Sequence, residues 1–200
     1  MARILVACEF SGIVRDAFRA RGHDAWSCDL LPCEADTKYH IQGDVLPLLN
    51  DGWDLMIAHP PCTYLTVSGN KWMKPEYADR FPTRQLDREA GIKFFMALAE
   101  APIPRRCIEN PIGIMSTVYR KPDQVIQPWQ FGHGETKATC LWLTGLPKLV
   151  PTHMKRDMFA QEEPQQREQR LHKLPPSPDR WKLRSMTYPG IAAAIAAQYG

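Results

Sequence analysis

The segment from Asp54 to Thr63 (DLMIAHPPCT) constrains the fold more than any other part of the chain. Its apolar run ends in two prolines, which indicates a buried strand that stops at its C-terminal edge. The prolines restrict the backbone and remove two hydrogen-bond donors, so the chain leaves the sheet stiffly. Cys62 is then held at the rim of the sheet, where open α/β proteins bind their ligands. The alternative interpretation is a buried structural cysteine after a turn.

Size and composition are typical of one globular domain. With 200 residues, 44% of them hydrophobic, the chain can bury a substantial core. No apolar run approaches the roughly 18 residues of a membrane helix, and the first residues turn polar too soon for a signal peptide. We therefore expect a cytoplasmic protein with no membrane partner.

The spacing of cysteine and histidine bears on redox state and metal binding. Six cysteines are scattered without a Cys-x-x-Cys pair, which favours reduced thiols over a disulfide framework. The histidines do not join them at zinc-site spacing, so we expect no metal site. The net charge of +3 permits nucleic-acid binding but does not argue for it.

Short apolar runs alternate with a helix and with acidic residues over the first half of the chain. A helix with an apolar face follows the first run, and Asp29 and Asp44 stand near the ends of the second and third. This alternation predicts an α/β fold with a mostly parallel sheet and helices on both faces. The predicted strands cover residues 3–8, 25–29, 39–45, 54–58 and 105–111.

The middle of the chain is less regular. Residues 63–82 show no clean period, and a loop of that length is usually functional or mobile. Thr83 can cap a helix that runs to about Glu100. Residues 125–131 and 139–143 indicate two further strands, paired as in a hairpin.

The last fifty residues differ in composition from the rest. Residues 151–184 are rich in charged residues, Gln and Pro, which predicts an extended or poorly ordered excursion over the surface. Residues 188–199 then form a predicted helix with proline in its first turn. We treat the whole chain as one domain, with 152–184 as a short variable segment and 185–200 as a C-terminal helical segment.

Two of the predicted strand ends carry reactive groups. Cys62 follows one strand, and Glu109 and Asn110 close the next. Because the carboxyl ends of parallel strands meet at one edge of a sheet, the thiol and the carboxylate are expected side by side. A thiolate beside an acid that can protonate a ring nitrogen suits covalent attack on an electron-poor heteroaromatic base.

The order of these motifs resembles that of the DNA cytosine-C5 methyltransferase family, and most of all its compact members from phages and prophages. The pair Pro-Cys plus Glu-Asn is the more specific part of the likeness, and the first and last motifs are degenerate. The matching pieces are residues 7–12 (ACEFSG), Asp29, Asp44, residues 60–62 (PPC), residues 109–111 (ENP), residues 130–132 with 136–143, and residues 185–191 (SMTYPGI).

The resemblance implies a Rossmann-like methyltransferase fold with S-adenosyl-L-methionine over the ends of the first strands. Phe10 would pack on this cofactor, Asp29 would hold its ribose hydroxyls and Asp44 its adenine amino group, through charge-assisted hydrogen bonds. The last segment, 185–200, would return to the cofactor pocket. The implied cofactor residues are Cys8, Glu9, Phe10, Ser11, Gly12, Asp29, Leu30, Asp44, Val45, Pro60 and Tyr188.

The same resemblance implies the catalytic roles. Cys62 would attack C6 of a cytosine flipped out of the base stack, and Glu109 would protonate N3 so that C5 can accept the methyl group. Asn110 would orient the loop rather than react. Lys137 would contact the base or a phosphate, with a plain surface lysine as the alternative.

The resemblance also implies DNA as the partner. The loop 63–82 would close over the flipped base, and Trp72 would fill the gap in the stack or simply pack. The candidate DNA-binding residues are Lys71, Trp72, Lys74, Arg80 and Arg84. Residues 152–184 occupy the place of the family's large recognition lobe, so we expect weak or short sequence specificity, or a single-stranded substrate.

Other interpretations stay open at this stage. The single Gly12 in the first motif, where the family carries two or three glycines, leaves room for an analogue of the methyl donor. An amino-methyltransferase acting on N4 of cytosine ranks lower, because residues 59–62 (HPPC) lack the aromatic residue and the polar start of that motif. A non-catalytic DNA-binding homologue and an RNA or nucleotide substrate remain alternatives.

Overall fold

The computed structural model describes residues 1–35, 37–153 and 174–200, and these build one seven-stranded sheet. The strands are β1 (Arg3–Ala7), β2 (Asp24–Asp29), β3 (His40–Gln42), β4 (Leu55–Ala58), β5 (Arg105–Pro111), β6 (Gln124–Ile126) and β7 (Thr139–Thr144). Their order across the sheet is β3-β2-β1-β4-β5-β7-β6. The first five strands are parallel, and β7 runs antiparallel to its neighbours β5 and β6.

Helices and tight turns connect these strands. The α-helices of the described residues are α1 (Ile13–Arg19), α2 (Arg84–Ala99), α3 (Met115–Val118), α4 (Arg180–Ser185) and α5 (Pro189–Tyr199). Single 3₁₀ segments cover Leu46–Asn50, Val67–Met73, Pro75–Tyr77 and Pro128–Phe131. None of the helices in these ranges is both long and apolar enough to cross a membrane.

Alternate residues of the central strands enter two separate cores. Ile4 and Val6 of β1 pack on the face covered by α1 and α5, whereas Leu5 and Ala7 pack on the face covered by α2. This follows from the period of two in a strand, which sends successive side chains to opposite faces. Because both faces are covered, the two central strands β1 and β4 are almost wholly apolar. The predicted Rossmann-like α/β fold is confirmed.

The strand order places a crevice at the centre of the sheet. The chain builds β1, β2 and β3 outward in one direction and then returns to add β4 and β5 on the other side of β1. Ligands of such sheets bind beyond the carboxyl ends of the strands, at the point where the order reverses. The ends of β1 and β4 lie at this point, so the segments that follow Ala7 and Ala58 border the crevice.

Two local predictions in the middle of the chain need correction. The helix expected after Thr83 is confirmed as α2, but Thr83 does not cap it, since its Oγ1 donates to the Asp87 carboxylate at 2.9 Å instead of binding a backbone amide. The strand expected over 125–131 ends at Ile126, because Pro128 lacks the N–H that the ladder needs and opens a 3₁₀ turn. The antiparallel pairing of this strand with β7 is confirmed.

The expectation of an extended segment over 151–184 is wrong for its end, which forms α4. Trp181 of α4 lies with its ring centroid 6.1 Å from that of Phe10, and Lys182 forms a 2.7 Å ion pair with Glu34. These tertiary contacts stabilise a helix in a stretch whose composition did not predict one. Residues 154–173, the larger part of the expected variable segment, lie outside the described residues.

Candidate active site

Cys62 and Glu109 are delivered to the same edge of the sheet by neighbouring strands. β4 and β5 pair in parallel, with Ala58 opposite Ile108, so Glu109 stands one residue beyond that pair and Cys62 follows β4 by four residues. Pro60 and Pro61 fill the interval and limit the paths that the backbone can take. Both reactive groups therefore lie at the carboxyl end of the sheet, as the sequence predicted.

Asn110 fixes the turn that carries the thiol. Its side chain is buried, and its Nδ2 donates to the carbonyl oxygen of Pro60 at 2.9 Å. The bond ties the end of β5 to the proline turn after β4, which is what a loop-orienting residue does. The orienting role of Asn110 stays a prediction.

The thiol of Cys62 is partly buried among charged groups. Burial raises its pKa, the Lys137 cation acts in the opposite direction, and the Glu109 carboxylate adds to the rise. A backbone hydrogen bond at Cys62 and, more weakly, the charge of Arg184 also lower the pKa of the thiol. The structure thus brings Cys62, Glu109 and Lys137 together, although Lys137 is distant from both in the sequence.

Lys137 is held by contacts on both sides. Its backbone N–H donates to the side chain of Gln127 at 3.0 Å, and its Nζ donates to the carbonyl oxygen of Arg184 at 3.0 Å. The ammonium group also lies 6.0 Å from the ring centroid of Tyr188. Its position beside Cys62 is therefore set in part by contacts with Arg184 and Tyr188, which are distant in the sequence.

His59 belongs to the site and was missed by the motif comparison. Its ring Nδ1 donates to Oε2 of Glu109 at 2.7 Å, and its backbone N–H donates to the carbonyl of Ala7 at 2.9 Å. The side chains of His59 and Glu109 are 10% and 16% exposed. A titratable residue immediately before Pro-Pro-Cys was the available signal.

On the cofactor side, the segment after β1 makes an unusual turn. Cys8 has a φ of 59°, rare for a residue with a side chain, and Gly12 follows with a φ of 75°. Between them the buried Glu9 carboxylate accepts from the backbone N–H groups of Val14 and Arg15, at 2.6 and 3.2 Å. Glu9 thus caps the N-terminus of α1, where a negative charge is favoured. Burial nevertheless raises the pKa of Glu9.

The two acids predicted to bind the cofactor converge on the end of β1. Burial raises the pKa of the Cys8 thiol, and the charges of Asp29, Cys28 and Asp44 add to the rise, so both carboxylates lie near it. Asp29 Oδ1 accepts from the N–H of Leu31 at 2.9 Å, and Asp44 Oδ1 accepts from the N–H of Leu46 at 3.0 Å.

The hydrogen-bond acceptors of these two carboxylates could hold a nucleoside. In the described residues the hydrogen bonds of Asp29 and Asp44 engage one oxygen of each carboxylate, which leaves acceptors suited to hydroxyl and amino groups. The side chain of Leu30 between them is exposed, and that of Val45 is buried.

Phe10 and Tyr188, both predicted to line the cofactor pocket, lie in different surroundings. Phe10 is buried beneath α4, with Trp181 against its ring. Tyr188 is also buried, and its hydroxyl lies 2.8 Å from Oε2 of Glu135. The ring of His133 is 5.0 Å from that of Tyr188. Tyr188 therefore stands on the Lys137 side of the site.

The predicted DNA-binding loop is an ordered basic and aromatic unit. The ring of Trp72 packs edge-on against Tyr77 and Phe81, with centroids 5.0 and 5.4 Å apart. The Lys71 ammonium lies 4.2 Å from the centroid of the Trp72 ring, and Arg80 lies 5.8 Å from it. Trp72 is thus a packing residue in this conformation, with two cations beside it.

The remaining basic residues of this loop differ in their surroundings. Lys74 is exposed and 3.8 Å from Glu76, which leaves it able to meet a phosphate. Arg84 donates to the carbonyl of Gly69 at 3.3 Å, and Arg88, which the sequence did not single out, donates to that of Tyr64 at 3.0 Å. The two arginines tie the loop to α2.

A cavity of about 530 Å³ opens in this loop, away from Cys62. It is lined by Trp72, Met73, Lys74, Pro75, Ala78, Asp79, Phe81, Pro82, Arg84 and Gln85. In the described ranges no group of three or more His, Cys, Asp or Glu side chains is arranged to hold a metal ion.

The fold and the site define a Rossmann-like α/β protein with a thiol, a carboxylate and an amine at the carboxyl edge of its sheet. Solved structures with a similar fold include a protein described as a DNA modification methyltransferase encoded within an E. coli prophage, at 17% identity and a TM-score of 0.42. Another is the S. pombe Dnmt2 methyltransferase, at 14% identity and a TM-score of 0.47.

These alignments cover 76% and 74% of this chain but 51% and 50% of the two solved chains, so the chain spans about half their length. No protein-family model and no curated protein matches the sequence.

Proposed function

We propose that the protein transfers a methyl group from S-adenosylmethionine to C5 of cytosine in DNA. The observation that carries the proposal is the position of Cys62, Glu109 and Lys137 at one edge of the sheet, where Lys137 acts electrostatically on both the thiol and the carboxylate. A nucleophile, a proton-handling group and a cation within one crevice suit addition to a heteroaromatic ring.

The first step is attack by Cys62. The thiolate forms a bond to C6 of a cytosine that has left the base stack, because the ring is unreachable inside a duplex. The electron pair of the C5–C6 double bond moves toward C5 as N3 gains a proton from Glu109. The Lys137 cation favours the thiolate, which burial alone disfavours.

The later steps restore the ring. C5, now electron-rich, would take the methyl group as its bond to the sulfonium sulfur of the donor breaks, which leaves a neutral thioether. A base then removes the proton from C5, and the bond between C6 and the Cys62 sulfur breaks. A thiol suits both ends of this sequence, because it is a strong nucleophile and a workable leaving group. The Asn110 bond to Pro60 holds the turn that positions the sulfur.

The methyl donor would occupy the crevice beside β1. Asp29 and Asp44 would bind its ribose and adenine groups, and Phe10 would supply an apolar wall. S-adenosylmethionine bound there supplies an electrophilic methyl group. The buried Glu9 carboxylate, which caps α1, would shape the crevice rather than bind the ligand directly.

DNA would approach across the loop that carries Trp72. Lys71 and Arg80 present positive charge beside the Trp72 ring, and Lys74 lies exposed in the same loop. Phosphate contacts of such residues dominate affinity for nucleic acids. The proposed substrate class is therefore a DNA strand with an accessible cytosine, duplex or single-stranded.

Product identification tests the proposal. DNA from cells that express the protein is hydrolysed, and its nucleosides are identified by mass spectrometry, with 5-methylcytosine as the expected product. Cys62→Ala is expected to abolish the product, whereas Cys33→Ala, which removes another partly exposed thiol, is expected to retain it. N4-methylcytosine as the product, or normal C5 methylation by Cys62→Ala, would overturn the mechanism.

A trapping experiment tests the covalent step separately. An oligonucleotide with 5-fluorocytosine cannot lose a proton from C5, so the bond between Cys62 and C6 is expected to persist after methyl transfer. Intact-protein mass spectrometry then shows the mass of the protein plus the methylated oligonucleotide. Formation of the same adduct by Cys62→Ala would assign the nucleophile to another residue.

A further inference from the structure

His59 stands directly behind the proposed proton donor. It follows β4, its backbone is fixed to the end of β1 by the bond to Ala7, and its Nδ1 donates to Glu109 Oε2 at 2.7 Å. Both side chains are largely buried. A contact this short between an imidazole and a carboxylate is a charge-assisted hydrogen bond with a defined geometry.

The charges around His59 come from three segments. Burial alone would lower the pKa of His59, but the hydrogen bond and charge of Glu109, followed by the charge of Glu9, outweigh burial and raise it, while Lys137 opposes the rise. For Glu109, burial would raise the pKa, but the bond and charge of His59 and the charge of Lys137 lower it. Both directions favour an imidazolium paired with a carboxylate in the free protein.

This charge state leaves the proposed reaction without an acid. Protonation of N3 requires a proton on Glu109, yet Glu109 is the deprotonated member of the pair. The proton nearest to its carboxylate is the one on Nδ1 of His59.

We infer that His59 is the positioning residue that supplies Glu109 with the proton for N3 of the target base, through the buried hydrogen bond between Nδ1 and Oε2. The inference rests on the proposed function and specifies how Glu109, the acid of that reaction, obtains its proton. It assigns a role to a residue that does not itself touch the substrate.

The proton moves from His59 to Glu109 and then to N3, and it returns by the same path. The Nδ1–H bond of His59 breaks and an O–H bond forms on Glu109, which leaves a neutral imidazole and a carboxylic acid. The acid then gives its proton to N3 as the sulfur of Cys62 bonds to C6. When the sulfur leaves C6, N3 releases the proton to the Glu109 carboxylate, and the imidazole recovers it.

The second ring nitrogen of His59 makes protonation costly. Nε2 is buried, and in the described part of the chain it has no hydrogen-bond partner, so the charge of the ring depends on the carboxylates near it. The Glu9 carboxylate, fixed at the N-terminus of α1, contributes the additional negative charge that favours the imidazolium.

The protonation state can be measured without any methyl transfer. Nitrogen NMR of the imidazole of His59 in the free protein follows its titration, with the ring signal assigned through the backbone resonances of His59. We expect a pKa above that of an ordinary histidine, and a shift to lower pH in Glu109→Gln. A neutral His59 at pH values where ordinary histidines are protonated would overturn the inference.

The pH dependence of single-turnover methyl transfer tests the role in the reaction. Asparagine keeps an amide N–H near the position of Nδ1 but has no proton to release. His59→Asn therefore retains a hydrogen bond to Glu109 but cannot supply it with a proton. We expect its rate to fall by about 100-fold near neutral pH, the usual size of a general-acid effect, and to recover toward acidic pH, where Glu109 can hold its own proton. His153→Asn, which changes an exposed histidine, is the matched control and should leave the profile unchanged.

The outcomes separate the inference from the proposed function. Active wild-type protein with a pH-independent loss in His59→Asn would show a structural brace and overturn the inference alone. Absence of C5 methylation by wild-type protein would overturn the proposed function and this role with it. If His59→Asn does not fold, the NMR titration of the wild-type protein decides the question.

Discussion

Asn110 and Pro60 are joined by a 2.9 Å hydrogen bond that links the end of β5 to the turn after β4. The two residues are fifty positions apart, and the side chain of Asn110 is 2% exposed. The bond couples the strand that carries Glu109 to the turn that carries Cys62. The buried amide therefore adds to the β4–β5 pairing in fixing the relative position of the thiol and the carboxylate.

The first prediction concerns this amide. Asn110→Ala leaves the carbonyl of Pro60 buried without its donor, which costs about 1–3 kcal/mol. We expect the free energy of unfolding, measured by urea denaturation, to fall by about this amount and methyl transfer to slow further. Asn50→Ala, at an exposed position, is the control. Equal stability of the two variants would contradict the structural role of Asn110.

The second prediction concerns the turn before α1. Gly12 and Gly22 both have positive φ, at 75° and 85°, but a Cβ on Gly12 would lie 2.3 Å from Nη2 of Arg15, whereas Gly22 has no neighbouring atom within 4 Å. Arg15 is fully buried and bonded to Ser27, so it cannot move away freely. We expect Gly12→Ala to be less stable than Gly22→Ala by about 1–3 kcal/mol, the cost of overpacking.

Thermal unfolding of the two alanine variants under the same conditions measures that difference. Because both pay the same backbone penalty for positive φ, the comparison isolates the clash with Arg15. A melting temperature for Gly12→Ala equal to that of Gly22→Ala would show that Arg15 yields.

The third prediction concerns the reactivity of Cys62. Lys137 lowers the pKa of this thiol and Glu109 raises it, against the rise caused by burial. Lys137→Gln should therefore move the alkylation of Cys62 to higher pH, and Glu109→Gln should move it to lower pH. Iodoacetamide labelling read by peptide mass spectrometry over a pH series measures both shifts.

Lys148→Gln is the matched control for this labelling. Lys148 is exposed and follows the end of β7, and Thr144 at that end pairs with Arg106 at the start of β5, so Lys148 is at the opposite edge of the sheet. It should leave the labelling unchanged. Shifts of the same sign in Lys137→Gln and Glu109→Gln would refute the charge assignment.

The fourth prediction concerns the pH dependence of stability. The pKa of Glu109 is lowered from about 4.5, so its contribution is present above that pH and is lost as the pH falls through the folded value. The pKa of His59 is raised from about 6.5, so its contribution is present below that pH and is lost as the pH rises through the folded value. The ion pair of His59 and Glu109 should thus stabilise the fold most between about pH 4.5 and pH 6.5.

A double-mutant cycle measures this contribution. The unfolding free energies of wild type, His59→Asn, Glu109→Gln and the double variant give the coupling energy between the two side chains at each pH. We expect the coupling to be largest in the mildly acidic window and to weaken on either side of it. A coupling energy that is constant over the whole range would indicate a neutral hydrogen bond instead of an ion pair.

The fifth prediction concerns the DNA-binding loop. The logarithm of the DNA association constant should fall linearly with the logarithm of the salt concentration, because phosphate contacts release counterions. Lys71→Ala and Arg80→Ala should each reduce the slope by about one. Fluorescence anisotropy with labelled oligonucleotides measures the slope, and Lys148→Ala should not change it. Unchanged slopes in both loop variants would place the DNA elsewhere.

Much of the frame could be predicted from local pattern. The apolar runs at β1 and β4 follow from their position in the centre of the sheet, since strands that are buried on both faces are apolar. Two local predictions were wrong because another local interaction competed with the predicted one. Pro128 ended β6 early, and Thr83 found the Asp87 carboxylate in place of a backbone amide.

The sequence by itself determined which groups stand at the strand ends. Cys62 after two prolines and Glu109 at the end of β5 had to share an edge once the strands were parallel and adjacent. Asp29 and Asp44 follow the same rule at β2 and after β3. The fold class and the positions of these four side chains were therefore available from local pattern and from the order of the motifs.

The tertiary structure alone decided how these groups act on one another. The bond between His59 and Glu109, the charge of Lys137 at Cys62 and the contact of Trp181 with Phe10 join residues that are 50 or more positions apart. Protonation states depend on distance and burial, and neither is encoded in spacing along the chain. The segment from Asp54 to Thr63 fixes where the thiol is, and its neighbours in space determine how the thiol and the carboxylate are charged.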